Sequence, residues 1–390
     1  MPQVKNLSKR AVALQPSLTL AISARAKALK KEGKNICSLS AGEPDFNTPE
    51  FIVEAAVKAL RDGITRYGPA AGDPELREAI SYKIKKYNGI SINPDEVLIT
   101  NGGKQSIYNL LQVILDPGDE VLIPSPYWLS YPEIVKLAGG VPKIIESSAE
   151  KGFAIDLGLL ESSINESTRL VILNSPNNPT GRVITKEEMK SIADILRKNP
   201  NISIMSDEIY EFIISEKTVH HSIAAVAPDL KERIFTVNGF AKGWAMTGWR
   251  IGYLTGSKQV INAAIALQSQ STSNVCSFAQ KGAIAALKGP HDCVEKMAKK
   301  YNQRREILVT GLNNIKGIKI QEPLGAFYAF PKLPEGSEGS VEFCERALEE
   351  VGLAMIPGIA FGDDNCVRLS CAVSNKTIND GLDRLKKLLP

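Results

Sequence analysis

Ile234-Phe-Thr-Val-Asn-Gly-Phe-Ala-Lys-Gly-Trp-Ala-Met-Thr-Gly-Trp-Arg-Ile-Gly-Tyr-Leu254 begins and ends in short β-forming runs, Ile234 to Val237 and Arg250 to Leu254, with a Gly- and Trp-rich segment between them. Similar runs precede it at Val97 to Thr100, Val121 to Ser125, Leu170 to Leu173 and Ile202 to Ser206. Helical segments separate these runs, and that alternation predicts an α/β fold, a mostly parallel sheet with helices on both faces. Towards the C-terminus the pattern changes to an amphipathic helix around Asn302 to Leu312, a Gly-rich strand pair near Gly317 to Phe330, a helix from Val341 to Val351, a strand at Val367 to Ser370 and a terminal helix. This predicts a smaller α+β domain. The N-terminal segment, in which Ala24 to Lys31 reads as amphipathic helix, is expected to pack with it. The expected division is a large domain over 46–300 and a small domain made of 1–45 plus 301–390.

The 390 residues are 43% hydrophobic and 23% charged, and 47 basic against 43 acidic side chains leave a net charge of +4. That composition suits a globular protein with one large core and a smaller domain. The charge is too mild and too evenly spread for a nucleic-acid or membrane partner, but it leaves room for a small anionic ligand. Cys37, Cys276, Cys293, Cys344, Cys366 and Cys371 lie far apart with no Cys-x-x-Cys pair, so reduced thiols are expected and no metal site. Lys9 and Arg10 before an apolar stretch ending in Ala24-Arg25-Ala26 mimic a signal peptide, but Gln15-Pro16-Ser17 interrupts it. No segment approaches the ~20 apolar residues that cross a bilayer, and the chain reads as cytoplasmic.

Ligands of parallel sheets bind beyond the carboxyl ends of the strands. Lys242 sits there, in a Gly- and Trp-rich segment rather than a solvated charge run, although an isolated lysine is by default a surface residue. A lysine that forms an imine must be free of strong carboxylate pairing and close to an anion site; Arg250, whose guanidinium suits a phosphate, lies eight positions on. Asp207 follows Ile-Ser-Ile-Met-Ser, where an aspartate is commonly a helix cap. The chemistry of pyridoxal 5'-phosphate (PLP) instead requires a carboxylate on the pyridinium nitrogen, so that the ring accepts electrons from the substrate α-carbon. Tyr210 either reaches the same ring's phenolic oxygen or packs in the core. Asn174-Ser-Pro-Asn-Asn-Pro-Thr-Gly181 is either a generic turn or presents the Asn178 amide to a ring substituent. Gly102-Gly103-Lys104 stands where a strand turns into a helix, whose exposed N–H groups favour an anion. No Walker ending and no Gly-x-Gly-x-x-Gly accompanies it, which argues against nucleoside triphosphates and dinucleotides. Trp128 either stacks on a flat ring or is core.

Taken together, Ser40-Ala-Gly-Glu-Pro-Asp-Phe46, Arg66-Tyr-Gly-Pro69, Asn101-Gly-Gly-Lys-Gln105, Ser125-Pro-Tyr-Trp-Leu-Ser-Tyr-Pro132, Asn174 to Gly181, Ser206-Asp-Glu-Ile-Tyr210, Ala241 to Tyr253 and Val367-Arg-Leu-Ser370 resemble the class I, fold-type I PLP-dependent aminotransferases, in particular the bacterial aspartate aminotransferase subgroup. The resemblance covers nearly the whole chain. It implies a seven-stranded sheet and a homodimer with active sites shared across the interface. Lys242 would hold PLP as a Schiff base, Asp207 would pair with the pyridinium nitrogen, Asn178 and Tyr210 would bond the ring oxygen, and Trp128 would stack on the ring. Gly103, Lys104 and Arg250 would surround the phosphate, with Tyr67 reaching the phosphate of the neighbouring subunit. Arg368 would grip the substrate α-carboxylate, with Gly42 closing over the substrate and Trp128 and Asn178 contacting it. Ala241 replaces a serine of many relatives, so a hydroxyl contact to the phosphate is lost.

The implied reaction is a ping-pong transfer of the amino group of L-aspartate to 2-oxoglutarate, with Lys242 as both tether and acid/base. Lys104, Ser17 and Thr19 are the candidates for the distal carboxylate. Prephenate is the alternative substrate, although Gln15 stands where some relatives have lysine. A C-S lyase or cyclopropane-forming synthase would use the same lysine and aspartate, but Ala245 to Gly252 favours transamination. A PLP-sensing transcription regulator would need a helix-turn-helix domain, and the roughly 40 residues ahead of Gly42 are too few for one.

Overall fold

A computed structural model describes residues 7–14 and 18–389. The first strand, β1 (Cys37–Ser38), stands apart from the main sheet. That sheet contains β2 (Val97–Thr100), β3 (Glu120–Pro124), β4 (Val141–Ile145), β5 (Thr168–Asn174), β6 (Ser203–Asp207), β7 (Ile234–Gly239) and β8 (Gly252–Thr255). They lie side by side in the order β2-β8-β7-β6-β5-β3-β4. The run from β7 to β4 is parallel, and β8 is antiparallel to both its neighbours.

The central strands are buried at almost every residue, as expected where helices cover both faces. Alternate residues serve opposite cores: Ile172 and Met205 pack with Ile107, Leu110 and Leu111, while Val171 and Ile204 pack with Met189, Ile192 and Ala193. Each such aliphatic side chain contributes about 1.5–3 kcal/mol on burial. Asp73 caps helix Pro74–Lys83 through the Glu75 N–H, and Thr185 with Glu188 forms a capping box on helix Lys186–Lys198.

A second core joins Leu39 to Tyr301, Leu308, Phe327, Phe343, Leu369 and Leu385, so residues near both ends of the chain pack together. Here β9 (Tyr328–Ala329), β10 (Leu353–Ala354), β11 (Ile356–Pro357) and β12 (Val367–Ser370) form two small sheets: β1 pairs in parallel with β10, and β11-β12-β9 are antiparallel. Helix Asp292–Asn313 runs without a break past residues 300 and 301.

Three expectations change in detail. Arg250 does not begin a strand: it has φ +57°, and β8 begins at Gly252. The run read as a strand pair near Gly317 to Phe330 contains only β9, with Lys319 making an isolated bridge to Lys332. Strand β4, which no local run marked, is the sheet edge, with much of Val141-Pro-Lys-Ile-Ile145 exposed. Among the described residues, no helix is long and apolar enough to cross a membrane.

Candidate active site

The carboxyl ends of β5, β6 and β7 open into a cleft of about 480 Å³. Six of the residues singled out from sequence, Lys242, Asp207, Tyr210, Asn178, Arg250 and Arg368, line it together, as do Gly42, Gly103, Lys104 and Trp128.

Lys242 follows β7, and its Nζ donates to the Gly42 carbonyl at 2.6 Å. Among the described residues it forms no carboxylate ion pair. Burial, with the Arg368 and Arg250 guanidiniums nearby, pulls its ammonium down to about 8, against an opposing pull from Glu43 and Asp207. The shift raises the neutral fraction of the amine near neutral pH, the form that nucleophilic attack requires.

Asp207, at the end of β6, is 5% exposed. Burial pushes its carboxyl up to about 6, although Tyr131 and the Ile209 N–H both stabilise the anion. The Tyr131 hydroxyl donates to Oδ2 at 2.7 Å, and the Ile209 N–H donates to Oδ1 at 3.2 Å. Asp207 thus does cap the following turn while also facing the cleft. A buried carboxylate of this kind favours a cationic partner.

Arg250 is held by its own strained backbone and by two carbonyls. Its Nη1 donates to Thr247 O at 2.8 Å and its Nη2 to Asn101 O at 3.3 Å. Gly102, with φ +82°, leaves the guanidinium room, for a Cβ there would fall 2.5 Å from Nη2. Gly252 likewise lets β8 approach the N-terminus of helix Gly103–Ile114, where a Cβ would lie 2.4 Å from the Gly103 nitrogen. The Gly103 and Lys104 N–H groups that open that helix have no intrahelical acceptor, while the Gln105 N–H donates to the Gly102 carbonyl at 3.0 Å. Lys104 lies 4.8 Å above the Trp128 ring, its ammonium lowered by burial and by Arg250. The result is a basic cradle suited to a phosphate.

Arg368, on β12, is 3% exposed and has no carboxylate partner among the described residues. Nη1 donates to Asn178 Oδ1 at 3.1 Å and Nη2 to Ser40 O at 3.2 Å, while Nε is buried without an acceptor. A buried guanidinium with an unsatisfied donor is a ready receptor for a carboxylate. Its carbon lies 4.5 Å from the Tyr328 ring centre and 4.9 Å from that of Phe361. The Asn174 side chain fixes the Asn178 backbone by accepting its N–H at 2.9 Å.

Not every expected residue is gathered here. Tyr67 is 92% exposed and does not line the cleft. Gln15 and Ser17 lie outside the described residues, as does the side chain of Thr19, whose backbone belongs to helix Leu18–Lys31. Conversely, Tyr131, Tyr328, Glu43 and Thr247 line the cleft without a role having been read for them. Tyr131 and Glu43 stood inside the quoted motifs, whereas Tyr328 had no local signal. Glu43 accepts from the Thr247 hydroxyl at 2.9 Å.

The cleft thus presents an amine for an aldehyde, a carboxylate for a protonated ring nitrogen, a basic cradle for a phosphate and a guanidinium for a second carboxylate. The family model for aminotransferase class I and II matches residues 34–385. A Petunia hybrida protein described as a bifunctional aspartate aminotransferase and glutamate/aspartate-prephenate aminotransferase is 46% identical over 98% of this chain and 83% of its own. An aspartate aminotransferase of Bacillus sp. (strain YM-2) is 44% identical over 98% of this chain and 99% of its own. The solved structure of Thermus thermophilus aspartate aminotransferase with maleate superposes with a TM-score of 0.95 at 43% identity, covering 99% of this chain and all of that one. In sequence and in fold, this chain belongs to the class I and II aminotransferases, of fold type I.

Proposed function

We propose that the chain binds PLP at Lys242 and transfers the amino group of L-aspartate to 2-oxoglutarate. The observation that carries the reading is a lysine with no carboxylate partner among the described residues, lining one cleft together with a buried aspartate and a basic cradle. When bound, PLP supplies an aldehyde and an electron-accepting pyridine ring. Asp207 would hold the proton on the ring nitrogen, and the Tyr131 hydroxyl keeps that carboxylate oriented. Tyr210 and Asn178 would donate to its ring oxygen, Trp128 would pack against the ring, and Gly103, Lys104 and Arg250 would hold its phosphate. Arg368 takes the substrate α-carboxylate, with Gly42 beside it. The Lys242 amine would carry the proton between the substrate α-carbon and the cofactor's C4', off the α-carbon of the amino donor and, in the second half of the exchange, onto that of the keto acid.

Lys104 is the described candidate for the distal carboxylate, since it lines the cleft with no acidic partner among the described residues. Thr19 and Ser17 complete that proposal from the N-terminal segment. Prephenate is the second reading, favoured by the bifunctional name of the Petunia relative. We also propose a cytoplasmic homodimer in which Tyr67 reaches the partner's phosphate, and a division into 46–300 and 1–45 plus 301–390.

Two measurements test the reading. Lys242→Ala should lower turnover by at least about 10⁴-fold and abolish borohydride fixation of PLP to the chain; normal transamination by this variant would end the assignment. In steady state, aspartate should exceed alanine and phenylalanine in kcat/KM by at least about 100-fold, with prephenate compared as amino acceptor. A preference for alanine or phenylalanine would refute the acidic-substrate reading.

A further inference from the structure

Tyr328, on β9, is buried at the back of the cleft and touches three groups of the proposed machinery. Its hydroxyl lies 2.9 Å from the Tyr210 hydroxyl, with either oxygen able to donate. The Gly42 carbonyl, which receives Lys242 Nζ, lies 3.4 Å away as the longer, alternative acceptor for the Tyr328 proton. Its ring lies beneath the Arg368 guanidinium, 4.5 Å away. The pairing of β9 with β12 sets this geometry by placing Tyr328 opposite Ser370, beside the strand that carries Arg368.

We infer that Tyr328 is a positioning residue for the transamination: its hydroxyl aims and polarises the Tyr210 phenol, and its ring holds the Arg368 guanidinium. The inference rests on the PLP reading above. Each tyrosine has one proton to give. Once Tyr210 donates to the cofactor's ring oxygen, its own oxygen is open to accept, and Tyr328 is the hydroxyl within reach. Donation into that oxygen makes Tyr210 the stronger donor. The ring oxygen is then better stabilised as an anion, and the bound cofactor loses its proton at lower pH. The other titratable groups facing the pair are Arg368 from β12, Asp207 from β6, Lys242 after β7, Glu43 beside Gly42 and the Cys371 thiol.

The test uses the holoenzyme. Tyr328→Phe keeps the ring and removes the hydroxyl; it should raise the pH midpoint of the cofactor's visible absorbance by about half to one pH unit, leaving KM for aspartate within about twofold. Tyr328→Leu removes the ring as well and should raise that KM about tenfold. In a Tyr210→Phe background the Tyr328→Phe shift should vanish, which a purely structural role would not produce. An unchanged midpoint in Tyr328→Phe, or the same shift with and without the Tyr210 hydroxyl, overturns the inference. The isosteric Phe variant decides the hydroxyl's part even if the Leu variant does not fold. A wild-type protein with no PLP absorbance would instead overturn the parent reading.

Discussion

At Lys242 the decisive quantity is how much amine is unprotonated. An ordinary lysine titrates near 10.4, whereas burial and two guanidiniums bring this one to about 8. The rate at which cofactor-free protein takes up PLP is therefore expected to rise with pH through a midpoint of about 8 before levelling off; stopped-flow absorbance checks it, and a midpoint of about 10 would show that the site does not perturb the amine. Asp207 carries the opposite shift. An unfolded aspartate ionises near 3.9, the buried one near 6, so between those values the folded chain holds the extra proton. Stability of the cofactor-free protein thus falls as pH rises through that window and remains lowered above it. Asp207→Asn should raise its melting temperature at pH 7 by about 2–6 °C, with the gap closing towards pH 4, while abolishing efficient transamination. Calorimetry that found the variant less stable at pH 7 would contradict this sign. The identities of Lys242, Asp207, Asn178, Arg250 and Arg368 were legible because each sits in a distinctive motif. The hydrogen bonds of Tyr131 and Tyr210 were not, since their partners lie 76 and 118 residues away.

At the scale of elements, the phosphate cradle depends on how closely β8 approaches helix Gly103–Ile114. The Gly252 Cβ position falls on backbone, which cannot rotate away as a side chain can. Gly252→Ala should therefore displace the helix N-terminus and weaken PLP binding at least about tenfold, read by equilibrium dialysis; unchanged affinity would mean that the helix is not the phosphate anchor. The strands at the sheet centre were readable from their β-branched runs because burial on both faces demands apolar residues at nearly every position. The edge strand β4 escaped notice because its exposed residues and internal proline carry no such constraint. Arg250 was misplaced for a related reason: nothing in its neighbours announces φ +57°, which its contacts with Thr247 and Asn101 maintain.

Over the whole molecule, Tyr67 is the residue that one chain leaves unexplained, a tyrosine 92% exposed outside the cleft. The proposed homodimer gives it a role. Sedimentation should find twice the chain mass, and Tyr67→Phe should weaken PLP binding about tenfold while leaving the melting temperature unchanged. A monomer with full PLP affinity would dismiss the shared site. By itself the sequence determined the alternation of strands and helices and the residue types of the site, because hydrophobic period and motif chemistry are local properties. Only the tertiary structure decided which groups are unpaired, how far Lys242 and Asp207 are shifted, and that Tyr328 joins Tyr210 to Arg368. Those depend on burial and on contacts between distant segments, which no window of sequence contains.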